Sequence, residues 1–251
     1  DAVMLVIPAD QLIRDTAAYQ DVMRDALAAA ERSDGLVTIG IKPTWPCPSY
    51  GYIERGAEAD LDGLTHTPHE VKRFREKPSP DVAEEFLRSG GFAWNAGMFV
   101  WSLPTVIAQL EKHAPELAAF ISVLKQSADP AATVAETFPH LPARSIDYAL
   151  MEKADRVLNI EATFDWDDVG SWISVAKYLP VIGEGNQVNG ALTELDAKHN
   201  IVFNARPGSR VALLGVEDLI VVQTEDALLV ARRDQADAIK NLSPLLPKEC
   251  L

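Results

Sequence analysis

Acidic residues follow two of the apolar segments of this sequence, at Asp10 and in the run from Asp165 to Asp168. Ligands of open α/β sheets bind outside the carboxyl ends of the strands, and Mg²⁺ in phosphoryl-transfer sites uses one or two carboxylates together with substrate phosphates. These positions are therefore candidate Mg²⁺ ligands, with helix-capping or solvated carboxylates as the alternative interpretation. The Asp165-x-Asp167 pair also matches the short acidic pattern of metal-dependent glycosyltransferases.

Two further segments carry groups that suit a phosphorylated sugar. Lys77 stands between Glu76 and Pro78, where the lysine could neutralise a phosphate and the glutamate could accept hydrogen bonds from sugar hydroxyls. Asn95 offers an amide close to Gly97, and a glycine lets a ligand approach the backbone. A plain surface turn is the alternative interpretation of both segments.

Several other kinds of site have little support. His66 and His69 form an H-x-x-H spacing without a nearby cysteine, so a zinc site is disfavoured. The sequence contains no G-x-S-x-G, C-x-x-C or G-x-x-x-x-G-K-[ST] motif, which argues against covalent catalysis and against a phosphate loop of that type. The formal net charge of -14 disfavours a nucleic-acid partner. An anionic substrate would therefore need local cations or a metal.

Composition is that of an ordinary globular protein, with 47% hydrophobic and 24% charged residues. No apolar run approaches the ~20 residues of a membrane span, and residues 1–8 lack the features of a signal peptide. Cys47 and Cys250 are far apart, so we expect no disulfide framework and predict a reducing, cytoplasmic location.

The order of elements predicts an α/β architecture. Residues 2–8 form a continuous apolar run typical of a strand covered on both faces, and residues 36–41 form a second buried strand. A helix from about Asp15 lies between them. Its apolar stripe comprises Tyr19, Val22, Met23, Ala26, Ala29 and Ala30. This β-α-β order predicts a right-handed crossover.

Later segments continue the pattern and then change character near residue 183. Further strands are predicted at 51–54, 71–77, 96–101 and 156–163, and helices at 80–88, 104–113, 116–126, 145–153 and from about 170. Turn residues then alternate with short strands at 211–215, 219–223 and 227–231, before a closing helix at 235–242. We therefore predict two domains, residues 1–182 and 183–251.

Six motifs occur in a fixed order along nearly the whole chain. They are Pro8-Ala9-Asp10, Tyr50-Gly51-Tyr52-Ile53-Glu54, Phe74-Arg75-Glu76-Lys77-Pro78, Trp94-Asn95-Ala96-Gly97-Met98-Phe99, Ser145-Ile146-Asp147-Tyr148-Ala149-Leu150-Met151-Glu152-Lys153 and Trp166-Asp167-Asp168-Val169-Gly170-Ser171-Trp172. In order and approximate spacing this series closely resembles the bacterial mannose-1-phosphate guanylyltransferases (GDP-mannose pyrophosphorylases).

The resemblance implies a GT-A-like nucleotidyltransferase domain, with a Rossmann-like mixed sheet truncated at its N-terminus, followed by a small β-helix-like segment. It implies nucleotidyl transfer from GTP to mannose 1-phosphate, giving GDP-mannose and pyrophosphate. Asp10 and Asp168 would bind the Mg²⁺ cofactor and act in catalysis with Lys77. The residues that the resemblance assigns to the substrate are Tyr52, Glu54, Glu76, Lys77, Asn95, Gly97, Asp147 and Glu152.

Three departures from the family pattern matter. The family's Gly-rich G-x-G-x-R loop would precede residue 1, Gln11 replaces the usual histidine, and Pro48-Ser49 replaces the usual Thr-Gly. Because that loop wraps the triphosphate, we expect no guanylyl transfer from this chain alone. The alternatives are another sugar-1-phosphate nucleotidyltransferase and a non-catalytic, GDP-mannose-binding regulatory relative. We expect GTP and mannose 1-phosphate as partners, no nucleic acid or membrane, and a homodimer as the candidate assembly.

Overall fold

The computed structural model describes residues 2–247, which divide into two units. The first unit contains residues 2–9 and 13–166, and the second contains residues 10–12 and 167–247. The domain boundary predicted between residues 182 and 183 stays a prediction. That position lies inside the second unit, because Trp172 and Ala176 pack in the same hydrophobic cluster as Ile201. Cys250 lies outside the described residues.

The first unit contains six strands and five α-helices among its described residues. The strands are β1 (Val3–Val6), β2 (Leu36–Ile41), β3 (Tyr52–Glu58), β4 (His69–Arg75), β5 (Phe92–Ser102) and β6 (Val157–Glu161). The helices are α1 (Thr16–Arg32), α2 (Pro80–Ser89), α3 (Leu103–His113), α4 (Pro115–Gln126) and α5 (Pro130–Thr137). A 3₁₀ turn at Phe138–His140 and a π-helical turn at Asp147–Met151 complete it. The sequence pattern missed α5, which buries none of its residues.

The strands form one mixed sheet in the order β1-β5-β2-β6-β4-β3, with β3 also pairing with β5. β2 and β6 are parallel, whereas every other pair is antiparallel. The predicted mixed α/β sheet is therefore confirmed. The pairing of β2 with β5 shifts register between Thr38 and Gly40, where β5 forms a bulge that contains Gly97 at a φ of 71°.

Two hydrophobic clusters cover the two faces of this sheet. Val22 and Ala26 of α1 pack in one cluster with Val37 and Ile39 of β2. Val106 and Leu110 of α3 belong to the other cluster, together with Leu36, Ile53, Phe99 and Trp101. The side chains of β2 are buried on both sides of the sheet, as its continuous apolar run predicts.

The environment predicted for the first strand was wrong. β1 is antiparallel to β5 and pairs with no other strand in the described part of the chain. Its burial alternates, and Met4 and Val6 are 39% and 37% exposed. An apolar run identifies a strand, but it does not identify the strand's neighbours, so it cannot distinguish an edge from a centre.

The helix predicted at 145–153 is a single wide turn. The Glu152 N–H donates to the Asp147 carbonyl at 3.0 Å, which is the i→i+5 bond of a π-helix. Ile146, rather than Ser145, precedes the first residue of the turn, and no side-chain cap bond forms. Such turns are frequent at functional sites, and this one carries two of the predicted substrate residues, Asp147 and Glu152.

Among its described residues the second unit contains one short α-helix, two 3₁₀ helices and two small sheets. Its elements are α6 (Trp172–Ala176), β7 (Val181–Ile182), β8 (Asn186–Asn189), β9 (Leu192–Leu195), β10 (Ile201–Asn204), β11 (Val211–Leu214), β12 (Leu219–Gln223), β13 (Leu228–Arg232) and 3₁₀ helices at Arg233–Asn241 and Ser243–Leu245. β8, β10 and β12 are mutually parallel, and β9 is parallel to β11. This stacking of successive coils confirms the β-helix-like segment. β12 and β13, close to the strands predicted at 219–223 and 227–231, pair as an antiparallel hairpin.

Buried asparagines connect the coils of the second unit. Asn186 and Asn200 are completely buried. The Asn186 Oδ1 accepts hydrogen bonds from the backbone N and the Nδ2 of Asn200, both at 2.9 Å. The Asn200 Oδ1 in turn accepts from the Leu219 N–H at 2.9 Å, and its Nδ2 donates to the Val216 carbonyl at 3.2 Å. These bonds join three successive coils.

Asn200→Ala should therefore lower the free energy of unfolding by about 2 kcal/mol, because the Leu219 N–H loses its acceptor and the Asn186 Oδ1 and the Val216 carbonyl each lose a donor. Urea denaturation followed by circular dichroism measures this. Asn189→Ala, at an exposed position on β8, is the matched control and should change stability by less than about 0.5 kcal/mol. Equal stability of the two variants would contradict this role of the asparagines.

Candidate active site

Two predicted substrate residues, Glu76 and Asn95, meet at Gly51, which lies just before β3. The Asn95 N–H donates to the Gly51 carbonyl at 2.8 Å. A Cβ atom built on Gly51 would overlap the Glu76 Oε2 and would come within 3.3 Å of the Asn95 Cβ. Only glycine leaves room for the Glu76 carboxylate here, and Glu76 and Lys77 follow β4 directly. The motif that contains Glu76 and Lys77 and the motif that contains Asn95 are thereby brought together.

Asn95 connects β2, β5 and the π-helical turn. Its Oδ1 accepts hydrogen bonds from the Thr38 Oγ1 at 3.0 Å and from the Gly97 N–H at 3.2 Å. Its Nδ2 donates to the Asp147 Oδ1 at 3.0 Å. The bulge in β5 places the Gly97 N–H within reach of Asn95. Sequence reasoning missed Thr38, a single threonine in an otherwise apolar buried strand, and that buried hydroxyl was the available signal.

Glu76 and Lys77 form an ion pair at 3.1 Å between Oε1 and Nζ, and the glutamate side chain is only 11% exposed. Burial raises the pKa of Glu76, and the Asp147 and Glu152 charges raise it further against the lowering effect of Lys77. The hydrogen bond to Glu76 raises the pKa of Lys77. The site therefore contains one cation among several carboxylates, and Lys77 keeps its charge.

Two local features of the backbone position Glu76 and Lys77. Lys77 adopts a φ of 45°, a left-handed conformation that is uncommon for a residue with a side chain and that concentrates at functional sites. The Glu76 N–H lies 3.4 Å from the Glu152 Oε1, which links the end of β4 to the π-helical turn.

The structure places Tyr52 and Glu54 elsewhere on β3. Tyr52 is fully buried in the core and packs against Phe86, with ring centroids 5.3 Å apart. Glu54 forms an ion pair with Arg73 at 3.1 Å, and that guanidinium lies over the rings of Phe86 and Phe92. These contacts account for both side chains within the fold, and their predicted substrate roles stay predictions.

The predicted metal ligands both lie in the second unit. Leu12 and Asp167 form an antiparallel bridge through two backbone hydrogen bonds of 2.9 and 3.1 Å, so the segments that contain Asp10 and Asp168 run side by side. Asp10 is exposed and Asp168 is half-buried. A Cβ atom on Gly170 would lie 2.7 Å from the Asp168 Oδ2. Two carboxylates on adjacent segments match the donor set that Mg²⁺ uses together with substrate phosphates.

Asp165 and Asp167 accept hydrogen bonds from other parts of the fold. The Asp165 Oδ1 accepts from the backbone N–H groups of Arg14 and Asp15 at 3.0 and 2.7 Å, which also lowers the pKa of Asp165. Asp167 is buried. Its Oδ1 accepts from the Val169 N–H at 2.9 Å, and its Oδ2 accepts from Lys177 at 2.8 Å and from the Tyr178 hydroxyl at 3.0 Å. These bonds disfavour the Asp165-x-Asp167 glycosyltransferase interpretation.

The pKa of Asp167 predicts an effect of acid on stability. Burial alone would raise that pKa, but the hydrogen bonds from Lys177 and Val169 outweigh burial and lower it below the ordinary 3.8. A lowered pKa stabilises the folded state above about pH 4, and this contribution is lost as the pH falls through the folded pKa. Asp167→Asn should therefore flatten the fall in unfolding free energy between about pH 4.5 and 2.5. Urea titrations across this range measure it, with Asp237→Asn, at an exposed position, as the control.

Both histidines of the H-x-x-H spacing have hydrogen-bond partners within the fold. The His66 Nδ1 lies 2.7 Å from the Asp25 Oδ2, and its Nε2 lies 3.2 Å from the Thr163 Oγ1, so both ring nitrogens are occupied. The His69 Nδ1 lies 3.2 Å from the Thr67 carbonyl. Among residues 2–247, no group of three or more histidine, cysteine, aspartate or glutamate side chains is arranged to hold a metal ion.

Family models match two parts of the chain. The model described as "Nucleotidyl transferase" matches residues 1–182, and the one described as "MannoseP isomerase/GMP-like beta-helix domain" matches residues 190–243. Within the described chain, no helix has the length and apolar character needed to cross a membrane.

Individual relatives point in the same direction. The chain is 38% identical over 246 residues to a mannose-1-phosphate guanylyltransferase of Sinorhizobium fredii, covering 96% of this chain and 46% of the relative. It is also 38% identical to the xanthan biosynthesis protein XanB of Xanthomonas campestris, with 96% and 50% covered. A crystal structure from Thermus thermophilus, described as a mannose-1-phosphate geranyltransferase, matches with a TM-score of 0.82 and 31% identity over 97% of this chain and 69% of that one. The chain spans about half the length of the curated relatives it matches.

Proposed function

The chain belongs to the nucleotidyl transferase family, and we propose that it acts in mannose-1-phosphate guanylyl transfer. In this reaction the phosphate of mannose 1-phosphate attacks the α-phosphorus of GTP, which releases pyrophosphate and forms GDP-mannose. The proposal includes a Mg²⁺ ion held by Asp10 and Asp168. It also includes a reducing, cytoplasmic location, in keeping with Cys47, a buried thiol that forms no disulfide within residues 2–247.

The observation that carries the proposal is the cluster around Gly51. It combines a single cation, Lys77, with polar groups suited to sugar hydroxyls at Glu76, Asn95 and Asp147. A sugar phosphate presents one anionic end and several hydroxyl groups, so this combination fits its chemistry. The net charge of -14 makes a local cation necessary for any such ligand.

The chemistry requires little from the protein beyond positioning and charge neutralisation. A phosphate monoester is mostly dianionic at neutral pH, since its second pKa is about 6, and it needs no general base. Lys77 would neutralise the attacking phosphate, while Glu76 and Asn95 would orient the sugar. Mg²⁺, when bound by Asp10 and Asp168, would neutralise charge on the nucleotide phosphates. No serine or cysteine nucleophile is needed in an in-line displacement of this kind.

A nucleotide and sugar screen tests the proposal. We expect the full-length product of the gene to release pyrophosphate from GTP with mannose 1-phosphate, and much more slowly from UTP, dTTP, ATP or CTP. Preference for UTP or dTTP with another sugar 1-phosphate would replace guanylyl transfer by a related nucleotidyl transfer. Binding of GDP-mannose without turnover of any pair would indicate the regulatory relative. The homodimer stays a prediction, which sedimentation of the same sample would test.

A further inference from the structure

A cavity of about 330 Å³ lies at the carboxyl ends of β2 and β6, two parallel strands of the first unit. Its charged lining comes from Lys42, directly after β2, from Glu161, the last residue of β6, and from Arg55 of β3. Small-molecule sites commonly enclose about 300 to 1,000 Å³, and ligands of α/β sheets bind outside the carboxyl ends of the strands. The cavity therefore has the size and the position of a site for a small ligand.

The cavity is separate from the residues assigned to mannose 1-phosphate. Phe86 and Phe92, which form part of its wall, belong to the hydrophobic cluster that contains Val22 of α1. Leu150 and Met151 of the π-helical turn belong to the cluster on the other face of the sheet. Of the described residues that line the cavity, none is a predicted substrate or metal residue. A ligand bound here would therefore occupy a second site.

The cavity has more positive than negative charge. The Arg55 guanidinium forms an ion pair with Glu161 through Nη1. A guanidinium has five N–H donors, and the others make no hydrogen bond to residues 2–247. Lys42 is exposed, and its side chain forms no ion pair within the described part of the chain. Two cations and one carboxylate thus line this cavity, in a chain whose net charge is -14.

Local structure holds both cations in place before a ligand binds. The Arg55 backbone N–H donates to the Gly91 carbonyl at 3.0 Å, and its side chain is held by Glu161. Pro43 restricts the backbone of Lys42, the residue before it, to extended conformations. An anion that enters the cavity therefore meets charges whose backbones need little rearrangement.

The rest of the lining is apolar. The rings of Phe86 and Phe92 are stacked with centroids 3.9 Å apart, and Leu87 of α2 also lines the cavity. Apolar walls lower the local dielectric constant, which strengthens the attraction between a bound anion and the two cations. They also offer contact area to the carbon atoms of a ligand.

We propose that this cavity is a second ligand site, which binds a small phosphorylated metabolite. The phosphate lies between Lys42 and Arg55, and the carbon part lies against Leu87 and the two phenylalanines. A dianionic phosphate matches two cations, whereas Arg55 alone would satisfy a single carboxylate. Glu161 holds Arg55 in place but repels the anion, so it limits the affinity. This site goes beyond the proposed function and does not depend on it.

Calorimetric titration of the 251-residue chain with phenyl phosphate at pH 8 tests this inference. At this pH the phosphate is a dianion, since its second pKa is about 6. The titrated chain carries Lys77→Met, which removes the cation that we propose for mannose 1-phosphate. It should bind phenyl phosphate. Inorganic phosphate, which leaves the apolar wall uncovered, should bind about fivefold more weakly.

Three substitutions, each added to Lys77→Met, locate the site. Lys42→Met should weaken binding of phenyl phosphate at least about tenfold, because the dianion loses one of its two cations. Glu161→Gln should strengthen binding about threefold, because a like charge is removed while the amide oxygen can still accept from Arg55. Lys125→Met, at an exposed position on α4, is the control and should leave the affinity unchanged.

The expected gain of affinity separates recognition of the anion from a structural effect, since damage to the fold would only weaken binding. The inference is overturned if the Lys77→Met chain does not bind phenyl phosphate, if Lys42→Met and Lys125→Met bind it equally, or if Glu161→Gln weakens binding. Equal affinities for phenyl phosphate and inorganic phosphate would overturn the role given to the apolar wall. Because every titration is made without Lys77, none of these outcomes depends on the proposed function.

Discussion

Lys77→Met should weaken binding of mannose 1-phosphate by about 100-fold, because the site then loses the cation that we propose for the phosphate. The change also leaves Glu76 buried without its 3.1 Å partner and close to the Asp147 and Glu152 charges. Methionine keeps most of the length of the lysine side chain, so the effect reports charge rather than shape. Calorimetric titration of this chain measures it.

Two comparisons make the Lys77 experiment specific. Lys125→Met removes an exposed lysine from the last turn of α4 and should leave the affinity unchanged. Lys77→Arg keeps the charge but replaces a compact ammonium group by a larger, planar guanidinium group, so it should retain part of the affinity. A Lys77→Met variant that binds mannose 1-phosphate as tightly as the wild type would show that the phosphate is held elsewhere.

The sequence predicts the helices and strands of the first unit better than it predicts which strands pair. The stripe from Val22 to Ala30 identifies α1 and its buried face, and the apolar run at 36–41 identifies the strand β2, which the structure places inside the sheet. The same kind of run at 2–8 describes β1, which is antiparallel to β5 and half exposed. Periodicity measures the local environment of a residue, whereas strand order depends on contacts between distant segments.

In the candidate site, too, the sequence predicts some residues and misses one whose role depends on strand pairing. The ordered motifs indicate Glu76, Lys77, Asn95 and Asp147, and the fold brings these residues to one place. Thr38 was missed because its role depends on the bulge in β5, which places Asn95 and Met98 opposite its hydroxyl. A threonine inside an apolar strand signals a buried hydroxyl that needs a partner, but the sequence does not show which residue that partner is.

The sequence could not assign different roles to the neighbouring carboxylates of the acidic run. Asp165, Asp167 and Asp168 have the same chemistry and are almost adjacent in sequence, so each was open to a metal or a capping role. The structure separates them by their partners, since Asp165 accepts from the start of α1 and Asp167 accepts from Lys177. Val169, a β-branched residue at a φ of 50°, turns the backbone immediately after Asp168.

Because we propose Asp168 as a Mg²⁺ ligand, Asp168→Asn should have the largest effect on catalysis. Loss of this proposed ligand should lower the proposed guanylyl transfer by the full-length gene product about 1000-fold, or about 4 kcal/mol in the barrier. It should also weaken Mn²⁺ binding, measured by the broadening that this paramagnetic ion causes in spectra of the chain. The midpoint of thermal unfolding should change little, because an amide of the same size replaces the carboxylate at a half-buried position.

The neighbouring carboxylate supplies the matched control, with the opposite pattern expected. Asp167→Asn replaces the buried acceptor of Lys177 and Tyr178, so it should lower the unfolding midpoint and leave Mn²⁺ binding intact. Gly170→Ala keeps every carboxylate but forces the Asp168 Oδ2 away from a Cβ atom that would lie 2.7 Å from it. It should therefore reproduce the metal defect in weaker form. If Asp167→Asn abolished metal binding while Asp168→Asn did not, the roles of the two residues would be reversed.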